Sequence, residues 1–169
     1  MSEIWFISDT HFGHNAILHH CKRPYSSIQN HDIALLYEIT KTVKPKDKVF
    51  CLGDFIWKRR EIADYFRVLP GKWTLVPGNH DENFRNELKK FCKVEERLVH
   101  FKYNKQLFIL CHYPLETWRN CMHGSIHLHG HSHGSLKTRR KNRFDVGWDV
   151  HHQLINIKEI VAWVSSSPE

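Results

Sequence analysis

Five short apolar runs in this chain each lead directly to a residue able to bind a metal ion, and no other feature restricts its fold as much. The runs are IWFIS (4–8), KVFCL (48–52), WTLV (73–76), QLFILC (106–111) and SIHLH (125–129). Each is short and rich in β-branched or aromatic residues, the pattern of a buried strand. They deliver, in order, Asp9-Thr-His11, Gly53-Asp54, Pro77-Gly78-Asn79-His80-Asp81, His112, and Gly130-His131-Ser132-His133.

Helical patterns fill the gaps. Asn15 is placed to cap a short helix over AILHHC, and HDIALLYEITKTV (31–43) carries apolar residues at helical spacing until Lys44-Pro45 stops it. EIADYFRVL (61–69) ends at Pro70-Gly71, and a further helix is expected near 83–92. Strands alternating with helices imply an α/β fold, in which polar residues at successive strand ends gather along one sheet edge, where ligands bind. Beyond residue 95 the pattern changes: RLVHFKY and QLFILCHYP flank Asn104-Lys105 as a hairpin, FDVGWDV reads as a strand, and INIKEIVAWV as a strand edge entering a helix. No repeat, long linker or low-complexity segment interrupts this order, and 169 residues suit a single domain over 1–169.

The donors are two carboxylates, one amide oxygen and several imidazoles, with no thiolate among them. This set suits Mn²⁺, Fe, Zn²⁺ or Ni²⁺ better than a structural zinc site. The two-residue spacing of Asp9/His11 and His131/His133 reads as strand alternation, which would aim both members of each pair into one cavity. Seven donors exceed the needs of one four-coordinate ion, so two ions sharing Asp54 is the natural count. Gly53, Gly78 and Gly130 beside the donors would let the backbone turn and a substrate approach.

Charge and cysteine usage narrow the class further. Lys plus Arg outnumber Asp plus Glu by 25 to 18, a formal charge of +7 that favours anionic partners. The basic segments WKRR (57–60) and KTRRKNR (137–143) are expected to grip polyanion backbones or to be solvated loops. Five cysteines without a C-x-x-C pair argue against a disulfide framework. With no signal-like start and no apolar run near the roughly 18 residues of a membrane span, the sequence reads as soluble and cytoplasmic, with no membrane partner.

Taken together, Asp9-Thr-His11, Gly53-Asp54, Gly78-Asn79-His80-Asp81, His112 and Gly130-His131-Ser132-His133 resemble the calcineurin-like metallophosphoesterase superfamily. SDTHFGHNAI, Arg23-Pro24, LGDF, GNHD and LCHYPL are similar to its small bacterial and phage-type members. The chain departs from that pattern with Asp145-Val-Gly147 in place of Asn-Val-Gly. The resemblance implies a four-layer α/β/β/α sandwich and two divalent ions, Mn²⁺ first. One ion would be held by Asp9, His11, Asp54 and His133, and the other by Asp54, Asn79, His112 and His131. It further implies a phosphoesterase in which a hydroxide held between the ions attacks phosphorus in line, His80 protonates the leaving oxygen and Asp81 orients His80. Phosphodiesters of nucleotides or nucleic acid are the expected substrates; a phosphomonoesterase or a non-catalytic metal-binding scaffold are the alternatives.

Asn79 and His80, with His14 and Arg23, are the substrate-contacting candidates; the alternatives for the last two are a solvent-facing loop histidine and an exposed arginine. His123, His127 and His129 are read as packing residues near the site rather than ligands, and Cys51 and Cys111 as buried hydrophobes. Trp57 and Trp118 could line the cleft or pack at its rim.

Overall fold

The computed structural model describes residues 2–138 and 140–166; Arg139, within the basic segment 137–143, lies outside the described residues. In chain order the elements are β1 (Ile4–Ile7), α1 (Asn15–His20), α2 (Ile28–Thr42), β2 (Lys48–Cys51), α3 (Ile62–Val68), β3 (Lys72–Leu75), α4 (Arg85–Leu88) and β4 (Lys93–Val94). Then come β5 (Leu98–Tyr103), β6 (Gln106–Cys111), β7 (Ile126–His129), β8 (Arg143–Asp145), α5 (Trp148–His151), β9 (Ile155–Asn156) and α6 (Ile157–Ser166). One sheet has the order β4-β3-β2-β1-β9 and the other β5-β6-β7-β8. Strands β1 to β4 run parallel with β9 antiparallel at the edge, and β6, β7 and β8 run parallel with β5 antiparallel.

Strand alternation divides the core in two. Phe6, Phe50 and Leu52 face Phe108, Leu110 and Leu128 between the sheets, joined by Ile157 and Ile160 from α6. Ile7, Val49, Cys51 and Leu75 point the other way and pack against Leu35 and Ile39 of α2 and Ile62 of α3. The result is an α/β sandwich of two sheets and helices, the α/β character that the sequence pattern implied and the layered sheets that the resemblance implied. Over the outer face of the second sheet the covering layer is the 113–125 loop with its 3₁₀ turn (Cys121–His123), and Trp118 packs on His127 at 5.2 Å.

Local chemistry accounts for several boundaries. Ser27 caps α2 by accepting the Asn30 N–H at 3.2 Å. Asn104 and Lys105 both take positive φ, 46° and 67°, the backbone of a mirror-image hairpin turn. Three expectations need correction. Asn15 is the first residue of α1 and not its cap, which is His14 without a side-chain cap bond. The helix near 83–92 is a 3₁₀ turn (Glu82–Phe84) followed by the four-residue α4, because the chain must turn at once to pair Lys93–Val94 with Thr74–Leu75. FDVGWDV is a strand only to Asp145: the Asp145 carboxylate accepts the Gly147 N–H at 2.8 Å, breaking the ladder, and Trp148 starts a helix. There the chain crosses between sheets, with the Ser8 N–H bonded to Val146 O at 3.1 Å and the Trp148 N–H to Ser8 O at 2.9 Å. Among the described residues no helix is long and apolar enough to cross a membrane.

Candidate metal centre

The five expected donor segments lie just past the ends of β1, β2, β3, β6 and β7. Their backbone is not the extended chain that alternation assumed. Asp9, His11, Asp54, His131 and His133 adopt φ of 58°, 51°, 53°, 67° and 46°, the left-handed region that residues with a Cβ rarely enter. The paired spacing therefore works because tight turns re-aim each side chain, and such strain persists only where surrounding bonds enforce it.

Those bonds are present. The Asp9 N–H donates to Gly53 O and the His11 N–H to Asp54 O, each at 3.0 Å, locking the first two segments together. Both Asp9 carboxylate oxygens accept the His131 N–H, at 3.1 and 3.0 Å, tying in the last. Gly130 is required by this closeness, since a Cβ there would overlap Ser8 Oγ and the Asp9 carboxylate. Gly53 (φ 90°) is similarly wedged against His112 and the Gly78 backbone, so both glycines serve the meeting of donor loops and not the entry of substrate.

Asp81 corrects an expectation. Its buried carboxylate accepts the N–H groups of Asp54 (2.7 Å), Gly78 (2.8 Å) and Phe55 (3.0 Å), and no bond joins it to the His80 ring. With its oxygens committed to three backbone donors it staples the second donor segment to the third, and it does not orient His80. Burial pushes its pKa up, although these N–H groups oppose the shift.

The donor atoms fall into two groups that share an edge. Asp9, His11 and His133 form one and Asp54, His112 and His131 the other, all donor atoms within each lying within 4.8 Å of one another. Between them sits Asp54 Oδ2, 3.7 Å from His11 Nε2, 3.4 Å from His112 Nε2 and 3.8 Å from His80 Nε2. Asn79 Oδ1 lies 3.2 Å and His131 Nδ1 3.1 Å from that same His112 Nε2.

Second contacts fix which ring nitrogen faces inward. His112 Nδ1 bonds Leu52 O at 2.7 Å, His133 Nδ1 bonds Asp149 Oδ2 at 2.6 Å, and His11 Nδ1 meets His14 Nδ1 at 3.2 Å. His11 Nε2 is thereby left buried with no hydrogen-bond partner. An orphaned imidazole nitrogen beside a carboxylate, with two more ring nitrogens converging on an amide oxygen, fits divalent cations of the N/O-loving kind. Burial pushes Asp9 up to about 7 and His11 down to about 2, and an adjacent dication would reverse the shift at Asp9.

The remaining candidates divide. His80 is partly exposed at the mouth of an open cleft of about 660 Å³, and its backbone N–H donates to Asp54 Oδ1 at 3.1 Å. His14 lines the same cleft, and burial pushes it down to about 4. Arg23, expected to contact substrate or stand exposed, is buried. Its Nε and Nη2 donate to the two Asp149 oxygens at 2.7 Å, Nη2 also to Asp9 O at 2.6 Å, and Nη1 to Thr10 O at 3.0 Å while facing His31 Nε2 at 2.6 Å. All five guanidinium N–H groups are engaged, which leaves none for a phosphate.

Asp149, which joins Arg23 to His133, went unseen because its segment reads as a strand. Burial alone would lower the His133 pKa, but Asp149 and Cys21 hold it up at about 10. Cys21 was also missed: its sulfur lies within 4.8 Å of the His133 and Asp149 donor atoms. His127 and His129 are buried on β7, His127 receiving the Leu115 N–H at 3.0 Å, whereas His123 ends the outer 3₁₀ turn. Trp118 donates to Ser125 Oγ at 3.0 Å and packs, while Trp57 lines the cleft.

Several residues of the basic segments are paired with carboxylates. Lys58 pairs with Glu61 and Arg59 with Glu87, each at 3.3 Å, Arg140 pairs with Glu116, and Arg143 is buried under Leu115 O and Thr138.

A profile described as calcineurin-like phosphoesterase matches residues 2–167. The uncharacterized protein MJ1445 of Methanocaldococcus jannaschii is 32% identical over 80% of this chain and 72% of its own length. The Gene 66 protein of Mycobacterium phage D29 is 24% identical over 100% of this chain and 99% of its own. Among solved structures, a protein of unknown function from Aquifex aeolicus, AQ665, aligns with a TM-score of 0.76 at 24% identity, covering 96% of this chain and 99% of that one, and shares the fold.

Proposed function

The chain belongs to the calcineurin-like phosphoesterase family and is a metal-dependent phosphoric ester hydrolase; from that premise we propose that it cleaves small, nucleotide-sized phosphate esters at a two-metal centre. The observation that carries the two-metal reading is the position of Asp54 Oδ2, within 3.7 Å of His11 Nε2 in one donor group and 3.4 Å of His112 Nε2 in the other. Asp9, His11, Asp54 and His133 would hold one ion, and Asp54, Asn79, His112 and His131 the second, with Mn²⁺ the first choice for such mixed oxygen and nitrogen donors.

Two divalent ions held by these residues would supply positive charge against the phosphoryl oxygens and would make a bound water more acidic. Of the seven donors only Asp9 and Asp54 bring negative charge, so with two divalent ions bound the centre would keep a net positive charge that attracts a phosphoryl group. His80, part exposed with its backbone N–H bonded to Asp54 Oδ1, stands at the open side and hands a proton to the departing ester oxygen. Arg23 and Asp149 hold His133 and the Asp9 backbone in place from behind.

Substrate size follows from the surroundings. The cleft of about 660 Å³ has room for a nucleotide. In the basic segments expected to track a polymer, Lys58, Arg59 and Arg140 are paired with Glu61, Glu87 and Glu116, which lowers the charge left for a nucleic-acid backbone and supports a small ester.

A Mn²⁺-supplemented panel of mono-, di- and cyclic phosphates and an oligonucleotide, run on wild type and His80→Ala, tests this reading. His80→Ala should lower kcat by roughly 10²–10⁴-fold on alkyl esters. The loss should be much smaller on p-nitrophenyl esters, whose leaving group needs no proton. Equal losses on both would remove His80 from the acid role, and preference for the oligonucleotide would overturn the small-ester reading.

A further inference from the structure

Trp57 is a large apolar side chain left 41% exposed at the mouth of a polar cleft, yet it is firmly held. Its ring lies flat on His14, with centroids 3.9 Å apart and planes 4° from parallel, and leans on His80 at 4.9 Å and 57°. His14 is itself fixed from below by its contact with His11 Nδ1 at 3.2 Å. One face of Trp57 is thus covered, and the exposed remainder lines the cleft as a preordered aromatic surface.

Its place in the row of rings indicates what this surface receives. The His11 centroid is 5.2 Å from that of His14 and 5.5 Å from that of His80, and Trp57 contacts both of these rings. A phosphoryl group beside His11 with its leaving oxygen toward His80 places the departing group next to the indole, whose centroid lies 4.9 Å from that of His80. A departing nucleoside can lay the π-face of its base on that ring, whereas a polyol has no such face to stack.

We propose that Trp57, backed by His14, is a base-stacking subsite, and that this enzyme selects nucleoside phosphates whose departing nucleoside lies on the indole. The proposal rests on the hydrolase reading above and names its substrate class. Stacking of this kind accepts any base, since each presents a π-face, so selectivity among bases is expected to be weak.

The experiment compares wild type, Trp57→Ala and Trp57→Phe on adenosine 5′-monophosphate and glycerol phosphate with Mn²⁺, and measures adenosine and ribose binding by calorimetry. Trp57→Ala should cut kcat/KM for the nucleotide on the order of ten-fold or more, leave glycerol phosphate within about two-fold, and weaken adenosine binding by a similar ten-fold. Trp57→Phe, which keeps a ring, should recover most of both. Equal losses on the two esters would mean that Trp57 only props His14, and unchanged adenosine binding in Trp57→Ala would overturn the subsite. If no phosphoester were turned over by wild type, the hydrolase reading would fail, while adenosine binding that depends on Trp57 would still support the stacking surface.

Discussion

Removing the guanidinium of Arg23 should cost more stability than any surface change in this chain. The side chain is fully buried against an Asp149 side chain only 7% exposed. Arg23→Met preserves much of the volume but strips Asp149 of both bonds from Arg23 and leaves the carbonyls of Asp9 and Thr10 and the ring of His31 without their donors. Breaking a buried ion pair from one side costs about 3–5 kcal/mol. At about 2–4 °C per kcal/mol for a chain of this size, the melting temperature should fall by roughly 6–20 °C.

In Arg23→Met the Asp149 carboxylate keeps only its bond to His133, so removing it as well should relieve part of the loss. Arg23→Met/Asp149→Leu should cost less than the sum of its single variants by about 1 kcal/mol or more. Urea denaturation followed by far-ultraviolet circular dichroism, in chelator to exclude metal effects, measures all three variants against wild type. A loss below about 1 kcal/mol for Arg23→Met, or strict additivity in the double variant, would refute the reasoning.

Two further outcomes follow from other contacts. Burial alone would raise the Asp47 pKa, but N–H donors from Glu3 (2.9 Å), Lys44 (3.0 Å) and Trp5 (3.2 Å) hold it below its usual value. Its stabilisation is therefore complete above the unfolded pKa near 4 and is lost as pH falls through the lower folded value, so the gap of about 1 kcal/mol between wild type and Asp47→Asn at pH 7 should close in urea melts below about pH 4. A gap that widened on acidification would contradict this sign. At Gly130, alanine places a Cβ against Ser8 Oγ and the Asp9 carboxylate, so Gly130→Ala should lose about 1–3 kcal/mol in thermal melts and weaken Mn²⁺ binding in a titration. Unchanged metal affinity would show that the donor loops can part there without consequence.

The donors were legible in the sequence because each follows a short apolar run, and in a layered α/β fold parallel strands carry their ends to one edge. Residue type and local pattern suffice for that inference. Arg23 and Asp149 were not legible in this way, since 126 residues separate them and the segment holding Asp149 carries strand-like residues that the Asp145 turn redirects into a helix. Asp81 was read from its neighbour in sequence, but the backbone N–H groups of Asp54 and Phe55 reach its carboxylate first. The basic segments likewise looked free because Glu87 and Glu116 pair with them from distant parts of the chain. Tight donor turns were invisible for a simpler reason: Asp and His in the left-handed region leave no composition signal comparable to glycine.

Metal analysis of the reconstituted protein puts the shared role of Asp54 directly to test. Wild type dialysed against excess Mn²⁺ and then freed of unbound ion should retain two ions per chain. Asp54→Asn, which removes the charge common to both donor groups, should retain at most one, weakly, with phosphoester turnover lost alongside. Two tightly held ions and full turnover in Asp54→Asn, or a single ion in a fully active wild type, would contradict the two-metal centre.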